Sequence, residues 1–242
     1  MISVILPTYN ESEGIVRLLA GLNEALADHE CEMLVVDDNS PDGTYFLVRD
    51  SGLANVKVIL REYDPGLAAS IRCGIENSVG DIIVIMDSDG NHHPKYIKFM
   101  VEALEFYGCV AGSRFLYGGY EGRKPLRHVL SYLFNIFLRF ITNGQITDSL
   151  FGYVAIKRNV LEKLNFDEIF TGYGEYCIRL MFYLQKNSVP ILQIPAVRTP
   201  RLGGRGNERF LGVFLKYTMT TLDLIRKHGR LKPGWFGWRK IN

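Results

Sequence analysis

The 242 residues suffice for one large α/β domain with an appendage, and 47% hydrophobic with 22% charged residues gives an ordinary globular composition with enough apolar side chains for a full core. Four widely spaced cysteines, Cys31, Cys73, Cys109 and Cys177, exclude a C-x-x-C pair and a disulfide framework and favour a reducing compartment. The net charge of +2 hides an asymmetry: residues 201–242 hold ten Lys/Arg and two Asp/Glu, or +8, whereas residues 1–200 hold 18 and 24, or −6. A basic, aromatic-bearing tail suits an anionic partner, although a solvated helix face carries the same charge.

In chain order, Ile2–Leu6 reads as a strand, which leaves no room for a signal peptide. Asn10 and Glu13 have the spacing of a capping box, and a helix follows with Ile15, Leu18, Leu19 and Leu22 on one face. Met33–Val36 is a buried strand ending in Asp37-Asp38. Ser40-Pro41 is expected to start the next helix, with Ser as N-cap and Pro at the first position. Val56–Leu60 is a third strand, Pro65-Gly66 leads into a helix, and Ile82–Met86 is a fourth strand. Strands alternating with helices predict a Rossmann-like, mostly parallel sheet with helices on both faces.

Ile82–Met86 ends in Asp87-Ser88-Asp89. Two carboxylates one residue apart at a strand's end cannot both enter the core unpaired. They are expected in the crevice at the carboxyl edge of the sheet, where Asp37–Asp38 and the Pro7–Glu11 turn converge with them. Hard carboxylate oxygens, with Asn91 nearby, suit Mg²⁺ or Mn²⁺ and a phosphate-bearing substrate. A solvated turn with a helix cap before Pro94 is the plainer account of the same residues. The absence of G-x-G-x-x-G and of G-x-x-x-x-G-K-[ST] disfavours a dinucleotide oxidoreductase and a P-loop NTPase.

Farther on, Val110–Arg114 is an expected strand with Arg114 at its end, and Asp148–Lys157 leads into another. Arg127–Thr142 is an expected helix on which Arg127, Ser131, Asn135 and Arg139 make one polar stripe and apolar residues cover nearly all the rest. An apolar face that wide is either deeply buried or rests on lipid; periodicity alone favours burial. Glu175 reads as an exposed helix-start carboxylate in preference to a catalytic base. The loop from Pro195 to Arg209 sets Arg198, Arg201, Arg205 and Arg209 among glycines, which suits phosphate or is simply a mobile basic loop. Phe210–His228 is amphipathic, and the stretch after it holds Trp235 and Trp238 beside Lys232, Arg239 and Lys240. No stretch reaches the ~20 apolar residues of a spanning helix.

LPTYNE (Leu6–Glu11), VVDDNSPDGT (Val35–Thr44), GLAASIRCG (Gly66–Gly74) and MDSDGNHHP (Met86–Pro94) resemble, in order and spacing, the inverting GT-A glycosyltransferases of family 2. The acidic segment is especially similar to the dolichyl-phosphate mannosyltransferase, or polyprenyl-phosphate glycosyltransferase, branch. The match continues through Gly112–Phe115, Arg127, Ser131 and Asp148. The resemblance implies a catalytic domain over 1–209 and an amphipathic helix with a basic aromatic tail over 210–242, the amphipathic helices lying at a membrane interface. It implies that Pro7, Tyr9, Glu11 and Asp38, with Asp87, Ser88 and Asp89, bind the nucleotide sugar. Asp87, Asp89 and Asn91 are implied to hold Mg²⁺ or Mn²⁺. Arg114, Arg127 and Ser131, with Arg201 and Arg209, are implied to meet phosphate, that of the acceptor included. Asp87, Asp89, Arg114 and Arg127 are thereby the expected catalytic residues. Where the family usually has Ser-Lys after Arg201-x-x-Gly204, this chain reads Arg205-Gly206-Asn207-Glu208-Arg209, leaving Arg205 or Arg209 to replace the lysine.

The implied reaction moves a sugar, mannose from GDP-mannose in the first instance, to a polyprenyl or dolichyl phosphate. Another donor such as UDP-glucose, a non-lipid acceptor, a nucleotide-sugar-binding protein without turnover, and a nucleotidyltransferase are the alternatives. The expected setting is the cytoplasmic face of a membrane, held peripherally or through a membrane partner protein, with no nucleic acid involved.

Overall fold

The computed structural model describes residues 1–120, 125–203 and 210–232. The expectations resting on Arg205, Arg209, Trp235, Trp238, Arg239 and Lys240 fall outside the described residues. Seven strands, β1 (Ile2–Thr8), β2 (Cys31–Asp37), β3 (Val56–Leu60), β4 (Ile82–Ile85), β5 (Cys109–Ser113), β6 (Val154–Lys157) and β7 (Ile191–Pro195), form one sheet in the order β3-β2-β1-β4-β6-β5-β7. Neighbours are parallel except that β6 runs antiparallel to both β4 and β5. The helices are α1 (Ile15–Ala25), α2 (Thr44–Arg49), α3 (Leu67–Glu76), α4 (Ile97–Ala103), α5 (Pro125–Thr142), α6 (Arg158–Leu161), α7 (Phe166–Ile169), α8 (Glu175–Lys186) and α9 (Phe210–His228).

The apolar run of each central strand feeds two cores, because alternate side chains leave opposite faces of a sheet. Ile2, Val4 and Leu6 of β1 pack with Ile15, Leu18, Leu19 and Leu22 of α1 on one face. Ile5 of β1 joins Ile71 and Ile75 of α3, Phe134 and Leu138 of α5, and the buried side of α8 on the other. Each fully buried Leu or Ile contributes about 1.5–3 kcal/mol relative to exposure, so the four α1 side chains alone fix that helix against the sheet.

Two helix starts differ from the sequence expectation. α1 begins at Ile15, with no side-chain cap, so Asn10 and Glu13 form no capping box. Asn10 instead sits in the left-handed region (φ 59°), and its N–H donates to Ser40 Oγ at 2.9 Å. α2 begins at Thr44, so Ser40 is not its N-cap. The acidic segment is used to pin the turn after β1: Glu11 N–H donates to Thr44 Oγ1 at 3.0 Å and Ser12 N–H to Asp42 Oδ2 at 3.0 Å. Backbone donors that would otherwise be unsatisfied beside the cleft are thereby paired.

α5 also differs. Phe134, Asn135, Leu138 and Thr142 face inward, and Asn135 ties the helix to the 148–150 segment by accepting the Ser149 N–H at 2.8 Å. The polar stripe therefore turns toward the protein at Asn135, with Arg127 and Ser131 half-buried. Phe134 and Leu138 are buried as periodicity assigned them, but Leu130, Leu133, Ile136 and Phe140 (75% exposed) are on the outside, and so are Val129 and Leu126 (71%), the latter just ahead of the expected helix. α9 packs beside α5, the Phe134 and Phe214 rings standing 4.6 Å apart, and presents Leu215, Met219 and Leu222 outward in its turn.

Candidate active site

The parallel register brings the carboxyl ends of β1, β2 and β4 to one edge. There a cleft of about 700 Å³ is lined by Pro7, Thr8, Tyr9 and Glu11 after β1, by Asp38 and Asn39 after β2, and by Asp87, Ser88 and Asp89 after β4. Arg61, Glu62, the 65–67 turn, Ser70, Tyr173 and Arg201 complete it.

At one end, Asp38 receives the Arg61 guanidinium (Nη1 to Oδ1, 2.5 Å), the Ser70 hydroxyl (2.6 Å) and the Gly66 N–H (2.7 Å). Asp38 thus organises this wall and holds Arg61 at the cleft. Ser88 donates its hydroxyl to Pro7 O at 2.6 Å and so ties the ends of β1 and β4 together. Tyr9 is exposed beside them.

At the other end, Arg201 bridges two buried carboxylates: Nη2 donates to Glu11 Oε1 at 2.6 Å and Nη1 to Asp89 Oδ2 at 2.7 Å. Burial raises the Glu11 pKa to about 7; Arg201 opposes the rise, while Asp89 and Asp87 add to it. Burial and the Asp87 charge likewise raise Asp89, against the Asn91 N–H and Arg201. At Glu11 and Asp89 burial therefore outweighs the attraction of the shared guanidinium. Glu11 Oε2 is buried with no hydrogen-bond partner. An orphaned carboxylate oxygen beside two aspartates is a donor set of hard oxygens, which fits a divalent cation or the hydroxyls of a sugar. Among the described residues no three His, Cys, Asp or Glu side chains already form a ready cluster for a metal. Asp87 and Asp89 are the groups that could hold one. Asn91 lies just behind: its N–H donates to Asp89 Oδ1 at 2.9 Å, its side-chain amide to Asp89 Oδ2, and its Oδ1 accepts Arg198 Nε at 3.0 Å.

The loop after β7 is held over Asp89 by its backbone. Leu202 N–H donates to Asp89 O at 2.9 Å and Thr199 N–H to Asn91 O at 3.1 Å. The Leu202 side chain closes on Gly90, whose φ of +81° and lack of Cβ make room for it; a Cβ there would stand 2.5 Å from Leu202 Cγ. The arginines of this loop that are described, Arg198 and Arg201, are thus fastened to the acidic motif.

Arg114, Arg127 and Ser131, also expected to meet phosphate, do not line the cleft. Arg114 is buried and forks onto Asp148, Nε to Oδ2 at 2.7 Å and Nη2 to Oδ1 at 2.8 Å. Arg127 and Ser131 stand together on α5 as their spacing requires. Glu175 is not an exposed helix-start carboxylate: it is 1% exposed and accepts Lys216 Nζ at 2.8 Å and the Tyr173 N–H at 2.8 Å. Burial raises its pKa, but the Lys216 hydrogen bond and backbone donors prevail and lower it, which makes it a poor proton acceptor.

His92 escaped the sequence reading. It is buried, accepts the Asp87 N–H at Nδ1 (2.8 Å), and so presents its Nε2 proton to Phe151 O at 2.9 Å. Burial pushes its pKa down to about 3 despite the attraction of Asp89, so a neutral ring fixes the backbone of Asp87. The only signal for it is its place in Asn91-His92-His93 after the acidic motif. Arg61 escaped as well, since nothing local links it to Asp38.

A mostly parallel sheet with an acidic cleft at its carboxyl edge is the architecture of GT-A glycosyltransferases. Glucosyl-3-phosphoglycerate synthase from Mycobacterium tuberculosis, solved with Mn²⁺, UDP and phosphoglyceric acid, shares it with a TM-score of 0.73 over 97% of this chain and 80% of that one, at 24% identity. Residues 3–165 match the model of glycosyl transferase family 2, and the chain belongs to that family and is a glycosyltransferase. It is similar to polyprenol monophosphomannose synthase of Mycolicibacterium smegmatis, 32% identical over 206 residues that cover 82% of this chain and 77% of that protein. Undecaprenyl-phosphate mannosyltransferase of Micrococcus luteus is 33% identical over 199 residues, 79% of this chain and 80% of that protein. Dolichol-phosphate mannosyltransferase of Pyrococcus furiosus is 34% identical over 173 residues, 69% of this chain; the chain spans about half of that protein, 49%.

Proposed function

We propose that this protein transfers a sugar from a nucleotide donor to a polyprenyl phosphate, with GDP-mannose as the first donor to test. The observation that carries the reading is the acidic end of the cleft, where Glu11 and Asp89 share Arg201 and Asp87 lines the cleft beside them. The three relatives named for mannosyl transfer to polyprenyl, undecaprenyl or dolichol phosphate support the choice of acceptor. A phosphate monoester has a second pKa near ~6, so the acceptor is already anionic at neutral pH. Its oxygen attacks the anomeric carbon with inversion, that carbon's bond to the diphosphate breaks, and the nucleoside diphosphate leaves with the electron pair. No strong base is needed, which agrees with the lowered pKa of Glu175.

The chain's own groups then have separable tasks. The Asp38–Arg61–Gly66 wall receives the nucleoside, Glu11 Oε2 accepts from a donor hydroxyl, and His92 and Asn91 hold the two aspartates in place. Asp87 and Asp89 would bind Mg²⁺ or Mn²⁺, which supplies positive charge to the leaving diphosphate when bound. Glucosyl-3-phosphoglycerate synthase structures with UDP and Mn²⁺ or Mg²⁺ support that assignment for the shared fold. Arg114, Arg127 and Ser131 are the acceptor side of the proposal, with Arg114 oriented through Asp148.

Among the described residues no helix is long and apolar enough to cross a membrane. The outward apolar residues of α5 and α9 support peripheral attachment, which brings the site to a lipid phosphate. The free cysteines support the cytoplasmic face.

The test supplies detergent-dispersed polyprenyl phosphate and one radiolabelled nucleotide sugar at a time, with Mn²⁺. Lipid-phase label from one donor, abolished by chelator and restored by added Mn²⁺, is expected. Label that appears only on a soluble phosphorylated acceptor, or donor binding without any transfer, would overturn the acceptor assignment.

A further inference from the structure

Glu175 opens α8 from inside the protein, where a carboxylate needs full compensation. Its partners come from two places. Lys216 reaches it from α9, and the Tyr173 N–H reaches it from the turn just before α8. That turn fits closely around the pair. Gly172 has φ +77°, and a Cβ on it would stand 3.0 Å from Glu175 Oε1. α9 touches the turn a second time through Tyr217, whose Oη would lie 1.9 Å from a Cβ on Gly174. The residue between the two glycines is Tyr173, 48% exposed and lining the cleft with Asp87, Asp89 and Arg201. Burial and the Asp87 charge raise its phenol pKa, as expected of a hydroxyl facing the carboxylate end.

We infer that Glu175 is a positioning residue: through Lys216 and the Tyr173 backbone it fastens the 172–174 turn to α9, so that the seating of α9 sets where Tyr173 stands over the donor's diphosphate and sugar. This rests on reading the cleft as the donor site. It assigns Glu175 a task other than proton transfer and makes Tyr173 a donor-binding residue. It also links the donor cleft to a helix whose other side is an exposed apolar surface.

The experiment measures binding of GDP with Mn²⁺, and of UDP with Mn²⁺, by calorimetry, with thermal unfolding of every variant as the check on folding. Tyr173→Ala is expected to weaken whichever nucleotide binds by about three- to thirtyfold. Glu175→Gln is expected to weaken it as well, and Gly174→Ala, which displaces Tyr217 without removing a charge, to do the same. In a Tyr173→Ala background Glu175→Gln should add nothing, because both act through one ring. Lys216→Arg should keep the pair and bind within about twofold of the wild type. A role in folding alone would lower the melting temperature and leave nucleotide Kd unchanged, so that pattern overturns the inference. Additive effects of Glu175→Gln and Tyr173→Ala overturn it too. If the wild type binds neither nucleotide, the donor-site reading itself fails and takes the inference with it.

Discussion

At Glu11 one carboxylate oxygen is bound to Arg201 and the other is buried without a partner. Asp89 shares the same arginine and also accepts the Asn91 N–H and side-chain amide. Such a site is costly to maintain unless a ligand completes it, because each unsatisfied buried polar group costs about 1–3 kcal/mol. Asp89→Asn keeps the side chain's shape and removes the charge that a cation and Arg201 require. Its expected effect is a fall in kcat of about 100-fold or more, with the circular dichroism spectrum unchanged. Initial rates at saturating donor check this, and a folded variant with more than about a tenth of wild-type kcat would take Asp89 out of the mechanism. His92 belongs to the same scale: a neutral imidazole holds the Asp87 backbone without bringing a competing cation into the site.

Within the elements, stability and function sit at opposite ends of the same strands. β1 and β2 carry Pro7–Glu11 and Asp37–Asp38 at their carboxyl ends. At their amino ends Glu32 accepts Ser3 Oγ, the Val79 N–H and Lys57 Nζ, each at 2.7 Å. Burial raises the Glu32 pKa, but these hydrogen bonds prevail and hold it below the ordinary 4.5. Since the folded state favours the charged form, the stabilisation is complete above the unfolded value and is lost as pH falls through the lower folded one. Glu32→Gln should therefore cost about 1–3 kcal/mol at neutral pH and flatten the loss of stability in acid below about pH 4.5. Urea unfolding across that range checks it. Nucleotide affinity should be untouched, because the network lies at the far end of the sheet from the cleft. An unchanged acid limb in the variant would show that Glu32 is not the titrating group.

Taken as a whole, the molecule sets a group of its exposed apolar side chains side by side on two neighbouring helices. Leu126, Val129, Leu133, Ile136 and Phe140 on α5 stand exposed, as do Leu215, Met219 and Leu222 on the neighbouring α9. Arg139, Arg226 and Arg230 supply cations near the ends of these helices. Apolar side chains rimmed by cations suit the headgroup level of an anionic leaflet, where each cation is worth about 1 kcal/mol. Vesicle sedimentation should show binding that rises with anionic lipid and falls with salt. Leu133→Ser with Phe140→Ser should weaken it, since each apolar side chain removed from water contributes roughly 1.5–3 kcal/mol. Protein left wholly in the supernatant at low salt would rule out peripheral attachment.

The order of the first four strands and the three helices between them, the buried face of α1, and the convergence of Pro7–Glu11, Asp38 and Asp87–Asp89 on one edge were all determined by the sequence, whereas β7 was not read from it. Those features rest on local signals: a period of two or 3.6, a turn residue, a carboxylate that cannot follow its strand into the core. Only the tertiary structure decided which charges meet. Arg201 reaches Glu11 across 190 residues, and Lys216 turns Glu175 from an expected surface carboxylate into a buried one. Ser40 reads locally as a helix cap, yet Ser40, Asp42 and Thr44 hold a turn about thirty residues earlier because that turn offers unpaired backbone donors. The outward face of α5 was decided in the same way. Its period is helical in either orientation, and the face turned inward is the one that seats Phe134 and Leu138 in the core and brings Asn135 to the Ser149 backbone, contacts that no pattern within the helix encodes.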